Sequence, residues 1–332
     1  MKDITLDSVM KAKILATLLA QERYSGNPVI EVAHNPKETR SQYVPAPVSL
    51  PNGDIWVYVK GDSSCAIWAY KSTDGGRTFT LQNRGNPVIQ KGASGEWDSG
   101  CVIEPSAVFD KKNNIIHLFY KGSMLFDKWS WAHATAPVDN PTAFTKDPAN
   151  PILTPSAIET TFGEVNVTDN AISDVIKIGN DFYFYGYFRS NSGFKIFYAR
   201  GTDWNNPTPQ DIIITSAQGF EMVQCPSVFR FPSSPIYVMI FTEGSIDKTK
   251  ARYLRAALSL DGKTWECMGD TILTPSKNTW ENIRVYAASL LKKSGGDFSE
   301  PEVVDGRLLL YYSGSSSITN QDNAGLLYMF LR

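Results

Sequence analysis

The chain reads as an all-β protein, a five-bladed β-propeller with a short N-terminal α-helix. Three observations predict it: an apolar segment recurring about every 60 residues, a strand-like aromatic run in each period that ends in glycine, and one turn signature found twice. A repeat unit of this size cannot bury its faces alone, so its neighbours must cover them.

The recurring segment is GNPVI at Gly26–Ile30 and again at Gly85–Ile89, followed by NPILTP from Asn150, DIIIT from Asp211 and DTILTP from Asp270. Between these lie IWVYVKG, IIHLFYKG, FYFYG, IYVMIFTEG and LLLYYSG, which end at Gly61, Gly122, Gly186, Gly244 and Gly314. Their β-branched and aromatic content suits buried strands. Asn52-Gly53, Asn113-Asn114, Gly179-Asn180 and Asp305-Gly306 stand just before four of them, where a tight hairpin is needed. A third strand follows in each period (CAIWAYKS, WSWAHA, FKIFYARG, RYLRAALS, GLLYMFLR), and the NPVI-like segment is expected to be the fourth.

The last period stops at its third strand, whereas an extra NPVI stands near the front. The expected closure is therefore a strand at residues 27–31 paired with the C-terminal blade, which leaves a ring with only short edges. This divides the chain into a helical segment, 1–25, and a propeller, 26–332. In the first segment Asp7 or Thr5 is the expected cap, and Met10, Ile14, Leu15, Leu18 and Leu19 form an apolar stripe. The stripe is expected to pack on the side of the propeller or to serve as an oligomer or attachment helix. Its lysines break any long uncharged core, so it does not read as a secretion signal, and a cytoplasmic protein or a component of a virion or other assembly is expected.

A net charge of −2 gives no electrostatic footprint for nucleic acid, and no apolar run is long enough to span a membrane. Four cysteines show neither metal-ligand spacing nor a dense disulfide framework; Cys101 and Cys225 read as small buried fillers at near-equivalent places. Three histidines, two of them His117 and His133 inside strands, leave little for histidine-centred chemistry. Asn166-Val167-Thr168 is a glycosylation sequon, read as accidental. The turn signature is STDGGRTF (Ser72–Phe79) and SLDGKTW (Ser259–Trp265), where Ser and Asp can bond the turn backbone. These loops resemble the Asp-box of sialidases and other propellers, a structural element.

Function in a propeller is expected at the starts of the innermost strands. Aligned by their apolar pattern these are Ala46-Pro47-Val48, Glu104-Pro105-Ser106, Ala171-Ile172-Ser173, Cys225-Pro226-Ser227 and Ala287-Ala288-Ser289. WDSGCVIEPSAVFD (Trp97–Asp110) with LFYKG resembles the second blade of invertase- and fructanase-type glycosidases, and QCPSVFRF (Gln224–Phe231) resembles their fourth-blade Glu-Cys-Pro motif. In architecture the resemblance extends to the arabinanase and xylosidase relatives and covers nearly the whole chain from Asn27. It implies glycosidic-bond hydrolysis by paired carboxylates. The inherited acids do not carry over: Ala46-Pro47 stands at the first-blade Asp-Pro position, Gln224 at the fourth-blade acid, and Thr168-Asp169-Asn170 only loosely matches the third-blade Arg-Asp-Pro. Glutamine can donate a hydrogen bond but cannot deliver a proton.

Other acids are available. Glu104 and Asp169 are the expected catalytic pair, and Glu104 leads because a carboxylate beside the channel is costly without a partner or a purpose. Trp97-Asp98, Phe162-Gly163-Glu164, Phe220-Glu221 and Trp280-Glu281 place an aromatic ahead of an acid in four entry segments. With Asp174, Gln224, Arg284 and Tyr286, the residues Trp97, Asp98, Glu164, Glu221, Trp280 and Glu281 are the expected substrate-binding set, suited to sugar faces and hydroxyls. For the two tryptophans the competing expectation is a wedge between blades, and for the acids a turn cap or salt bridge. A sialidase-like variant would gather Arg40, Arg189 and Arg284 on a substrate carboxylate. Two functions follow: a glycoside hydrolase using relocated carboxylates, without a cofactor, or a non-catalytic glycan-binding propeller. Carbohydrate is the expected partner in both, with a homo-oligomer or an attachment through the helix as the further partner expected.

Overall fold

The computed structural model describes residues 7–216, 221–247, 249–316 and 321–331. Their strands form five antiparallel sheets arranged as the blades of a propeller. Blade I comprises Gln42–Ser49, Ile55–Gly61, Ala66–Ser72 and Thr80–Leu81, and blade II Cys101–Asp110, Ile115–Ser123, Ser130–Pro137 and Thr145–Lys146. Blade III comprises Asp169–Ile178, Asp181–Ser190, Gly193–Gly201 and Thr208–Thr215, and blade IV Met222–Arg230, Tyr237–Gly244, Arg252–Ser259 and Glu266–Leu273. Blade V takes Arg284–Leu290, Arg307–Ser315 and Asp322–Phe330, and its fourth strand is Gln21–Arg23.

The closing ladder thus lies earlier than residues 27–31. Gln21–Arg23 pairs antiparallel with Leu327–Met329, and the expected segment contributes a single bridge from Ile30 to Ala324. The same correction applies in blades I and II, where the NPVI-like segments form only the bridges Ile67–Ile89 and Trp131–Leu153, outside the two-residue fourth strands. Proline within these segments removes a ladder donor, which confines pairing to isolated positions. Helix α1, Ser8–Leu19, is capped by Asp7, whose carboxylate accepts from the Val9 N–H at 3.1 Å. The alternative cap, Thr5, lies outside the described residues. Ile14 and Leu18 are fully buried against blades IV and V with Met10 beside them, while Leu19, 44% exposed, leaves the expected stripe.

The apolar core is distributed as five clusters, one in each seam between adjacent blades. This is why the second strand of each blade reads as continuously apolar: both of its faces are covered. The terminal glycines of those strands have a steric cause. A Cβ on Gly122 would come within 2.6 Å of the Trp97 indole, and one on Gly314 within 2.3 Å of the Trp280 indole. Both tryptophans are therefore packed against these glycines beside the seam clusters, not placed as platforms at the mouth.

Both Asp-box turns form as expected. Asp74 accepts from the Arg77 and Thr78 N–H groups at 3.0 Å, and Asp261 from those of Lys263 and Thr264 at 2.8 Å. Cys101 is not a free filler. It forms a disulfide with Cys65, with a Cα–Cα distance of 4.7 Å, joining the second hairpin of blade I to the first residue of blade II.

Candidate functional site

The inner strands of blades I, II, IV and V share one irregularity. Pairing breaks between Tyr43 and Ala46, Ile103 and Ser106, Gln224 and Ser227, and Tyr286 and Ser289. The first residue of each break, Val44, Glu104, Cys225 or Ala287, has a left-handed φ between 47° and 56°. Non-glycine residues held there cost about 1–3 kcal/mol each, and such bulges re-aim side chains next to functional sites. The shared geometry corrects the alignment of blade I. Ala46 is the equivalent of Ser106, Ser227 and Ser289, so the residue of blade I equivalent to Glu104 is Val44, followed by Pro45. Two prolines spaced by two residues, Pro45 and Pro47, gave the pattern two registers.

These bulges border a central depression of about 300 Å³. Glu104 and Asp169 enter it from blades II and III and meet on one ammonium: Lys121 Nζ lies 2.9 Å from Glu104 Oε1 and 2.7 Å from Asp169 Oδ1. Tyr187 donates to Glu104 Oε2 at 2.8 Å, and Trp129 lies beneath the ammonium with its ring centre 4.8 Å away. Lys121 is 3% exposed; burial pushes its ammonium down, but Asp169 and Glu104 outweigh that and hold it above its ordinary value. Both acids are thus held by a cation that stays charged, with the Asp169 side chain the more open at 30% against 14% for Glu104.

The opposite half of the depression is built by blades I, IV and V. Tyr43 and Tyr286 meet edge to face, with ring centres 5.8 Å apart. The guanidinium carbons of Arg252 and Arg284 sit 5.5 and 5.3 Å from the Tyr286 ring centre. Arg284 pairs with Asp322 at 2.9 Å, and Lys60 with Asp62 at 3.3 Å. Burial pushes the Lys60 ammonium down, but Tyr43, Asp62 and Glu104 outweigh it and leave it above its ordinary value. Gln224 and Cys225 complete this wall, the Cys225 thiol pushed up by burial.

Glu104, Asp169, Gln224, Arg284 and Tyr286 therefore come together, and the remaining expected binding residues go elsewhere. Asp98 is buried and paired with Lys146 at 2.6 Å, and Glu281 is fully buried and paired with Arg23. Burial outweighs Tyr312 and Arg23 and pushes the Glu281 carboxyl up. Glu164 accepts from Ser190, Ser192 and Lys195, which outweigh its partial burial and hold its carboxyl down. Asp174 lies deeper along the inner strands, paired with Lys292 and accepting from the Val228 N–H at 2.7 Å. Glu221 sits outside on the rim of blade IV, bonded to Ser245, and Phe220 lies outside the described residues. The three arginines of a sialidase-like site are not gathered: Arg40 is exposed, Arg189 lines a neighbouring recess with Trp129 and Asn191, and only Arg284 reaches the depression.

Sequence reasoning missed Lys60, Lys121, Arg252, Tyr43, Tyr187 and Asp322. The two lysines had a visible signal: each precedes the glycine that ends a second strand, at Lys60-Gly61 and Lys121-Gly122. Also unforeseen is a buried relay in the seam between blades II and III. Asp147 Oδ2 lies 3.0 Å from His133 Nδ1, and His133 Nε2 lies 2.9 Å from His117 Nδ1. Asp147 accepts only, so both rings are ordered as donors toward it, and His117 Nε2 is left without a partner among the described residues. No group of metal-ligating side chains occurs among the described residues.

Comparison with known proteins returns no matching family model and no matching curated protein. Solved structures do match. The catalytic domain of a family 62 α-L-arabinofuranosidase from Coprinopsis cinerea aligns at a TM-score of 0.66 and 14% identity over 91% of this chain and 95% of that one. An endo-arabinase from Bacteroides thetaiotaomicron aligns at 0.62 and 16% identity, covering 92% of this chain and 98% of its own. An α-L-arabinofuranosidase from Podospora anserina, solved with cellotriose, aligns at 0.61 and 14% identity over 91% and 94%. At these identities the likeness establishes a shared fold: the chain has the five-bladed propeller of these glycoside hydrolases.

Proposed function

We propose that the protein is a glycoside hydrolase-like propeller that takes a glycan into its central depression, with Glu104 and Asp169 as the carboxylates facing the sugar. The observation that carries this is their convergence on Lys121 at the mouth of a sugar-sized recess walled by Tyr43, Tyr187 and Tyr286. The solved neighbours add a precedent of fold, since proteins of this architecture include an endo-arabinase and an α-L-arabinofuranosidase bound to cellotriose.

In the hydrolytic reading the two acids divide acid and nucleophile or base roles. Because both touch one ammonium, their nearest oxygens are no further apart than the two Lys121 contacts together. That ceiling lies near the short spacing of retaining enzymes, roughly 5–5.5 Å. A proton donor is needed, and Asp169 is the more open of the two acids, with Lys121 bridging it to Glu104. The same contact favours a second reading, in which the acids accept sugar hydroxyls without turnover.

Glu104→Gln and Asp169→Asn, tested on arabino-, xylo- and fructo-oligosaccharides, separate these readings. Hydrolysis by the wild type that falls at least about a hundredfold in either variant supports the enzyme. Binding without turnover, weakened in both variants, supports the module. Neither turnover nor binding across this panel and the acidic probes named below overturns the proposal.

A further inference from the structure

The depression is electrostatically lopsided. Blades IV and V contribute two cations to it, Arg252 and Arg284, against one acid, Asp322, whereas Lys60 of blade I pairs with Asp62 and lies in the field of Glu104. Lys60 and Arg284 each have an acid within ion-pair distance. Arg252 does not. It is 9% exposed, and its Nε and Nη2 donate to the backbone carbonyls of Ser245 and Ile246 at 3.1 and 3.4 Å. Its Nη1 makes no hydrogen bond to the described residues. Buried charges are normally paired, because taking an uncompensated ion out of water is costly. Here the surroundings add to that cost: burial, with the neighbouring Arg284, holds the guanidinium below its ordinary value.

The position is built, not accidental. Two carbonyls fix the guanidinium in orientation, and Tyr286 lies between the two arginines as an aromatic face that both approach. A planar guanidinium with a free donor edge is matched by a carboxylate, and an adjacent aromatic face is matched by the apolar face of a sugar ring. We propose that the glycan taken by this depression carries a carboxylate, as in a uronic or sialic acid residue, and that Arg252 receives it beside Tyr286. The inference rests on the carbohydrate reading above and narrows it to acidic sugars. The acid-bearing residue would then sit across the depression from Glu104 and Asp169, so a neighbouring residue of the same chain would lie over those carboxylates.

The test is a binding titration of the full chain with trigalacturonate and with 3′-sialyllactose, each beside its carboxyl-reduced form. The expected result is that at least one acidic probe binds about tenfold or more tighter than its reduced form. In Arg252→Gln that preference should collapse to about onefold. Arg252→Lys should restore part of it, and circular dichroism verifies that both variants are folded. The two acids distinguish a uronate from a sialate source. If reduced and acidic forms bind the wild type equally, or the preference survives in Arg252→Gln, this inference fails while the carbohydrate reading stands. If no probe binds in either form and the neutral panel above is also silent, both fail.

Discussion

At the scale of single residues, the depression shows how a buried charge discloses its purpose through its partners. Glu104, singled out from the sequence as too costly to leave unpaired, is answered by Lys121 and Tyr187. Asp98, Asp174 and Glu281 are answered equally well, by Lys146, Lys292 and Arg23, but away from the mouth. An acid beside an aromatic is a pattern the sequence displays. Which way each side chain turns depends on bulges and on partners in other segments of the chain, and those no local pattern contains. The histidine relay is the other case, since its members stand 16 and 14 residues apart and meet only through strand register. Burial and the proximity of His133 push His117 from 6.5 down to about 3. A ring held neutral in the fold but free to protonate when unfolded stabilises the protein fully above pH 6.5, and that contribution is lost as pH falls toward about 3. We expect the urea midpoint of the wild type to drop between pH 7 and pH 5, and His117→Phe, which keeps the stack on Trp204, to flatten that drop. Equal slopes in the two proteins would contradict the assignment.

Among elements, the inner strands carry the site and their irregularity defines it. The aromatic second strands and both Asp-box turns were legible because they obey local rules: period, hairpin residues and side-chain bonds within a few positions. The bulged starts were only half legible. Glu104-Pro105-Ser106 and Cys225-Pro226-Ser227 could be aligned, whereas blade I was read two residues late because Pro45 and Pro47 both suit a strand start. The Cys65–Cys101 disulfide was missed since its partners are 36 residues apart and belong to different blades. It anchors the strand that presents Glu104, three residues beyond Cys101. Closing a loop of this length limits the unfolded chain, so replacing both cysteines by serine should cost roughly 4 kcal/mol in urea denaturation. Reductant should lower the midpoint of the wild type and leave the double variant unmoved. A reductant-insensitive wild type would show that the bond does not form.

For the molecule as a whole, five apolar seams meet around a polar hub, and the ring is fastened by a strand contributed from the N-terminal side. Gln21–Arg23 completes blade V, and Arg23 reaches on to Glu281, so closure is covalently remote but electrostatically tied. Repeat count and ring closure were readable because about 60 residues of period survive despite sequence drift. The exact closing segment was not, because GNPVI advertises itself more strongly than QER. The hub concentrates acids on the side of blades II and III and unbalanced positive charge on the side of blades IV and V, an asymmetry suited to an oriented chain of sugars. The most direct test is a crystal structure with an oligosaccharide from the panels above. The account predicts sugar hydroxyls within hydrogen-bonding distance of Glu104 and Asp169 and a ring against Tyr286. Sugar bound only elsewhere, for instance in the groove of about 580 Å³ between Arg230 and Val303, with the central depression empty, would contradict it.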